Sequence, residues 1–347
     1  MSLLLDIGSP RSYVVTVGNR PAPPMDGESL CDWIAEQVRS FTDRSLDGRP
    51  VVFEDTTNFM AIDRDHVVNL QGEFFLVRCN EHELRFGLED QPKFWVKRAM
   101  SLHTGRLHIL KLVIREEFKT RIGSVEIRCY RSEEKEGRVL EYVRGDGRFM
   151  QGRTVRDVRG NLVRVIDFIR GPSLINYLHA IPLSHEEYFH ERLPGIMPHV
   201  ISCLRAIQYL HDGGLCHGDI RNDHILIEEE TGSYRWIDFD LTQDFSDYDV
   251  ASIGNILHMV VGKQLTAMRQ LIAAEPGLAD CLSHEDGSSF FPHRLMNFRK
   301  VYPYIPKKLN DVLMRFSIGT EVFYDSVGQV VADIEDSCVS MGWPCAV

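Results

Sequence analysis

The sequence has no apolar run near the roughly 18 residues that a membrane-spanning helix requires. No membrane partner is expected. It also lacks an excess of positive charge, with 39 Lys and Arg against 50 Asp and Glu and a formal net charge of -11. Non-specific nucleic-acid binding, which needs a basic surface to neutralise phosphates, is therefore not expected. The first residues, MSLLLDIGSPRS, place no basic stretch before their short apolar run, so they do not read as a secretory signal and a cytoplasmic location is expected. The eight cysteines form no CxxC pair. That argues against a disulfide framework or a structural zinc site and for reduced thiols.

What is present begins with enough apolar residue, 44% of 347, to bury a full core in two or three lobes. The densest chemical signal lies in Leu215–Ile227, LCHGDIRNDHILI, followed by Tyr234–Asp240, YRWIDFD. These read as two strand-flanked loops, each presenting an acid, Asp219 and Asp238. Such a pair suits phosphoryl transfer, in which one carboxylate orients an acceptor hydroxyl and the other holds the metal that bridges nucleotide phosphates. Isolated loop aspartates are more often caps or turn formers, so the surroundings must decide.

Those surroundings are ordered. After a Pro-rich start, Arg20–Pro24, the spacing of Leu30, Ile34 and Val38 predicts an amphipathic helix capped by Asp26 or Ser29 and docked on the next lobe of the chain. From about 61 to 115 the pattern has period two. One hairpin turns at Asn69–Gly72, and a second joins Lys93–Ala99 to Arg106–Ile114 through Leu102–Gly105. Residues 116 to about 136 read as a long polar helix with Phe118, Ile122, Val125, Ile127 and Cys129 on an imperfect apolar face, and Arg138–Val143 and Asn161–Ile169 read as strands. A helix over about 194–211 delivers the chain to the HGD loop. The remainder is helical, with core spacing at Val250, Ile253, Ile256 and Leu257.

HGDIRNDH followed by DFD resembles the HRDLxxxN and DFG motifs of the protein-kinase-like superfamily, in the same order. The resemblance runs from about 66 to 336 and implies an α+β, two-lobed kinase-like fold: an extension over 1–60, an antiparallel-sheet N-lobe over 61–167 and a mainly helical C-lobe over 168–347. It implies ATP as cofactor with Mg²⁺, or Mn²⁺ in its place, and an unidentified hydroxyl-bearing acceptor. By resemblance Val96 covers the adenine and Lys111, after the Thr104–Gly105 turn, meets the α and β phosphates; Lys97, in FWVKRA, is its rival. Glu126 pairs with the lysine, with Glu117 and Glu133 as substitutes. Ile166 closes the back of the adenine pocket while the Asp167 carbonyl and Ile169 amide meet the adenine edge. Asp219 orients the hydroxyl, Arg221 neutralises the transferred group, and His217 buttresses the loop. Asp238 is the metal ligand, with His224 and Asp240 beside it.

The departures are as informative. Where the glycine-rich loop belongs, only Gly87 is present. His224 replaces an asparagine ligand, which favours a single Mg²⁺ or a softer ion such as Mn²⁺; alternatively His224 only packs, and Asn222 or Asp223 turns inward. Asp240 replaces the glycine of DFG. Between Asp240 and Asp249–Gly254, which resembles the DxxSxG start of a large core helix, nothing is long enough for an activation loop, and Gly218 stands where regulated kinases keep a phosphate-binding arginine. Switching by loop phosphorylation is not expected. The function implied is ATP-dependent transfer to a hydroxyl by a Ser/Thr-kinase-like enzyme of bacterial or atypical type. The alternatives are a small-molecule kinase of the aminoglycoside or choline type and a pseudokinase scaffold.

Overall fold

The computed structural model describes residues 27–85, 88–122, 125–245 and 247–347, without the side chains of 83–85, 88–90 and 122. The Pro-rich start, the Asp26 cap and Gly87 lie outside the described residues. By its internal contacts the chain forms two compact units, one of residues 1–112 and 155–163, the other of 113–154 and 164–347.

The first unit starts with α1 (Gly27–Thr42). Trp33, Ile34 and Val38 are buried on one of its faces against Val67, Phe74, Leu76, Met100 and Leu102, as the helical spacing predicts. Ser29 lies inside the helix rather than at its cap. The strands follow as β1 (Val52–Phe53), β2 (Val67–Leu70), β3 (Glu73–Arg85), β4 (Leu88–Ser101) and β5 (Leu107–Lys111), adjacent in that order. β2 and β3 meet at Gln71–Gly72, both with positive φ, and the Asn69 side chain accepts the Gly72 N–H at 2.8 Å. This is the turn expected of a tight hairpin. At the β4–β5 turn Gly105 has φ +71°, and a Cβ there would meet the Phe41 ring at 2.5 Å. Glycine is needed on both counts.

The second unit opens with a correction. The expected helix over 116–136 is an antiparallel hairpin, β6 (Glu117–Ile122) and β7 (Val125–Arg131). Phe118, Ile122, Val125 and Cys129 fit a helical period by chance, but Ile127 and Cys129 are buried while Glu126, Arg128 and Tyr130 face outward. That is period two, in a β-branched stretch that prefers a pleated surface. The expected strand Arg138–Val143 is also corrected, to α2 (Lys135–Tyr142), whose buried Lys135, Glu136, Val139 and Leu140 recur at helical spacing.

β8 (Gly152–Arg156) and β9 (Leu162–Asp167) lie where the chain passes between units. The helical region then holds α3 (Leu174–His179), a short α4 (His185–Glu187) and, after one π-helical turn, α5 (Leu193–Asp212). The hairpin β10 (Ile225–Ile227) and β11 (Tyr234–Trp236) comes next, then β12 (Leu241–Gln243), α6 (Tyr248–Gly262), α7 (Met268–Ala274), α8 (Lys307–Met314) and α9 (Val327–Ser340). α6 begins only a few residues after DFD. The architecture is α+β: a mixed sheet, with β1–β2 parallel and β2 to β5 antiparallel around the TG-turn hairpin, is followed by helices together with HGD, a short hairpin, DFD and a core helix, and the expected all-antiparallel sheet is corrected to that extent. Among the described residues no helix is long and apolar enough to cross a membrane.

Candidate active site

The two acids of the sequence motifs are brought together by a register. In the β10–β11 hairpin Ile225 pairs with Trp236. One step beyond the ladder the Ile237 N–H donates to the His224 carbonyl at 3.0 Å. Asp238 therefore falls beside the His224 ring, with Nε2 3.7 Å from its Oδ2. On the other side Nδ1 sits 2.8 Å from the Asp219 carbonyl oxygen and 3.6 Å from its carboxylate. One imidazole separates the two carboxylates. Asp238 itself has φ +69°, a left-handed conformation that costs a non-glycine residue on the order of 1–3 kcal/mol and is found at sites the surroundings over-determine.

The Asp219 loop is held from beneath. His217 is fully buried, its Nδ1 accepts the Asp219 N–H at 3.2 Å, and its ring packs on Trp236 and Phe239 at 4.8 and 4.6 Å. Burial drives its pKa down to about 3. A neutral ring is what a buttress requires, in line with the expectation. Beneath it the buried Asp249 of α6 accepts the His217 N–H at 2.7 Å, the Gly218 N–H at 2.8 Å and His211 Nε2 at 3.0 Å. Burial pushes that carboxyl up, but the His211 bond and the nearby His217 and Lys135 hold it below the ordinary range.

Other members of the loop are engaged by neighbours. Arg221 bonds Asp223 at 3.0 and 2.5 Å. The Asn222 amide donates to the Asn255 carbonyl at 3.2 Å. The placement of these two side chains does not support either Asn222 or Asp223 as an inward ligand.

The DFD segment is tied from the hairpin side. Asp240, expected beside a metal, instead receives Arg131 Nη1 at 2.6 Å in a pair buried on both sides, and Glu116 receives the same guanidinium at 2.8 Å. Burial opposes that charge, but Asp240, Asp238 and Glu116 outweigh it and raise the Arg131 pKa. The Ser132 N–H donates to the Asp240 carbonyl at 2.8 Å, and β12 pairs antiparallel with β7. The buried Lys135 Nζ donates to the His217 carbonyl at 2.8 Å and to the Leu241 carbonyl, joining the two loops. A Cβ on Gly218, at φ +87°, would lie 2.0 Å from the Leu241 oxygen and 2.6 Å from that ammonium. The absent arginine side chain thus leaves room for a lysine the sequence did not advertise.

Glu126, expected as the helical partner of the nucleotide lysine, is corrected too. It is exposed on β7 and takes Lys119 at 2.7 Å. The buried helical glutamate is Glu136 in α2, bonded to Arg164 of β9 at 3.1 Å and to the Phe239 N–H of DFD at 3.3 Å. Glu136, Arg131 and Lys135 escape a reading of the letters because a helix drawn over 116–136 hides their faces.

Ile166 and Ile169 are buried and Asp167 is exposed. In the first unit Lys111 is buried on β5, opposite Val96 on β4. Its rival Lys97 is fully buried and bonded to the Ile62 carbonyl at 2.5 Å and Asn80 Oδ1 at 2.7 Å, with its pKa lowered by burial to about 8. Lys97 is a structural post. Among the described residues no group of three His, Cys, Asp or Glu is arranged to hold a metal. His224 and Asp238 do aim at one space. With Nδ1–H given to the Asp219 carbonyl, Nε2 presents a lone pair toward a carboxylate, an arrangement a cation fits.

No family model matches the chain, and no curated protein matches it. Among solved structures it is similar to Rad53 1–466 in complex with AMP-PNP, with a TM-score of 0.39 and 14% identity over 69% of this chain, which spans 60% of that one. It is also similar to the Mycobacterium tuberculosis PknI kinase domain, with a TM-score of 0.44 and 12% identity over 80% of this chain and 100% of that one.

Proposed function

We propose that this chain is an ATP-dependent phosphotransferase that moves the γ-phosphoryl group to a hydroxyl acceptor in a Ser/Thr-kinase-like manner. The observation that carries the reading is the convergence of Asp219 and Asp238 on the two nitrogens of His224. Asp219 orients the acceptor hydroxyl and takes its proton. Arg221, tethered by Asp223, offers positive charge to the transferred group. Asp238 and His224 hold Mg²⁺ or Mn²⁺, and two protein ligands suffice where phosphate oxygens and water supply the rest. When bound, that ion neutralises charge on the β and γ oxygens; an imidazole ligand favours Mn²⁺. Lys111 and Val96 are assigned to the nucleotide by motif, as are the Asp167 carbonyl, the Ile169 amide and Ile166. The supporting role given to Glu126 passes to Glu136.

One observation favours a small-molecule acceptor over a protein. The segment after DFD is paired to β7 and enters α6 at once, leaving no extended platform for a peptide. The test is transfer from labelled ATP with Mg²⁺ or Mn²⁺ to candidate acceptors, comparing wild type with Asp219→Ala, Asp238→Ala and Lys111→Met. Transfer lost in all three variants supports the reading. No label transfer and no nucleotide-induced thermal shift in wild type would select the pseudokinase scaffold. His224→Asn is expected to move the metal preference toward Mg²⁺.

A further inference from the structure

Beyond DFD, the loop between α7 and α8 packs against α6 and carries Arg294. Ser288 caps a tight turn by accepting the N–H groups of Phe290 and Phe291 at 3.2 Å each, and Ser288 also bridges to Ser317. The turn is therefore fixed. Phe290 meets Tyr248 edge-on at 5.7 Å, and the raised pKa of Tyr248, due first to burial, is raised further by Asp219. From Phe290 the wall continues to Phe291 at 4.7 Å, and the Arg294 guanidinium lies 3.9 Å over that second ring. Arg294 returns to the catalytic loop by another route, since it donates at 3.3 Å to the side chain of Asn255, whose backbone carbonyl accepts from Asn222.

Both routes run through α6, by Tyr248 and by Asn255, toward the loop of Asp219. Among the described residues Arg294 has no carboxylate partner; its polar contact is one neutral amide oxygen. Burial alone lowers its pKa, to about 10, with no acid to offset it. A partly buried guanidinium loses hydration and recovers it best from an anion, to which it can give two parallel hydrogen bonds. The same charge repels a quaternary ammonium or a polyamine, and it already covers the Phe291 face that would otherwise attract one.

We propose that Arg294 receives an anionic group of the acceptor, so that the substrate is a hydroxyl compound carrying a carboxylate or phosphate rather than a cation of the choline or aminoglycoside kind. This rests on the phosphotransferase reading for the word acceptor, but its test need not. Calorimetric titration of the full chain with glycerol 3-phosphate against glycerol, and with serine peptides flanked by aspartate against lysine, reads anion preference without turnover. The two anionic probes distinguish a small molecule from an acidic peptide. Wild type is expected to favour one anionic member of a pair, Arg294→Gln to weaken it by about tenfold or more, and Arg294→Lys to restore part of it. In turnover, Arg294→Gln is expected to raise KM for the acceptor and leave kcat and the KM for ATP unchanged. Binding without anion preference, no binding by any probe, or a preference that survives Arg294→Gln overturns the inference. Anion preference without label transfer leaves the site standing and removes the phosphotransferase reading.

Discussion

The loop of Asp219 and the segment of Asp238 meet at one histidine but are held by opposite means. The first hangs on the helical core: its backbone N–H groups point at the Asp249 carboxylate and its buried ring is His217. The second is gripped from the β6–β7 hairpin and the start of α2 by Arg131, Ser132 and Lys135. A loop bonded to a core helix is as rigid as the core. A segment bonded to a hairpin depends on that hairpin for its position.

Breaking each anchor tests that contrast. The largest effect is expected from Asp249→Ala, which strands two buried N–H groups and His211; a loss of about 3–5 kcal/mol is expected in denaturant unfolding. A value under about 1 kcal/mol would mean that the loop does not depend on α6. Arg131→Met leaves Asp240 buried without its cation and is expected to cost about 3 kcal/mol, while Arg131→Met with Asp240→Leu recovers most of it, because a buried pair is costly to halve but not to replace. If the double variant is no better than the single, the pair is not the grip.

Acid is expected to act more gradually. Burial holds His217 at about 3 and His185 and His258 at about 4. Below the unfolded value of 6.5 the unfolded chain takes up protons that the folded chain refuses. Stability therefore falls as pH falls from about 6.5 toward 4, by up to about 1.4 kcal/mol per pH unit for each histidine. Urea unfolding across that range should show it, and His217→Gln should make the slope shallower by about one proton.

The smallest effect separates the two glutamates. Glu126→Ala is expected to leave the thermal midpoint and any transfer activity unchanged, since its partners are exposed. Glu136→Ala should lower both, by stranding Arg164. Equal effects would return Glu126 to the site.

What could be read from the letters obeys this division. HGD, DFD, the TG turn and the DxxSxG helix start are local: each needs a few residues of stated type at fixed spacing, and each lies where expected. The stretch 116–143 misleads twice because its apolar residues satisfy both periods, and only burial chooses between them. Buried charges such as Arg131, Lys135 and Glu136 leave no apolar signature at all. Asp238 and Asp240, two residues apart in one motif, look alike in sequence and differ in surroundings, since Asp238 lies beside the His224 ring while Asp240 is buried against Arg131.

The sequence alone determined where the candidate residues lie along the chain, since the acids, the hairpin turns and the short span from DFD to α6 are matters of residue type and spacing. Tertiary structure alone decided which charges are occupied and which are offered, because occupancy depends on partners more than a hundred residues away, as Arg131 is from Asp240. A side chain's charge is written in its letter, but its availability depends on what folding brings beside it.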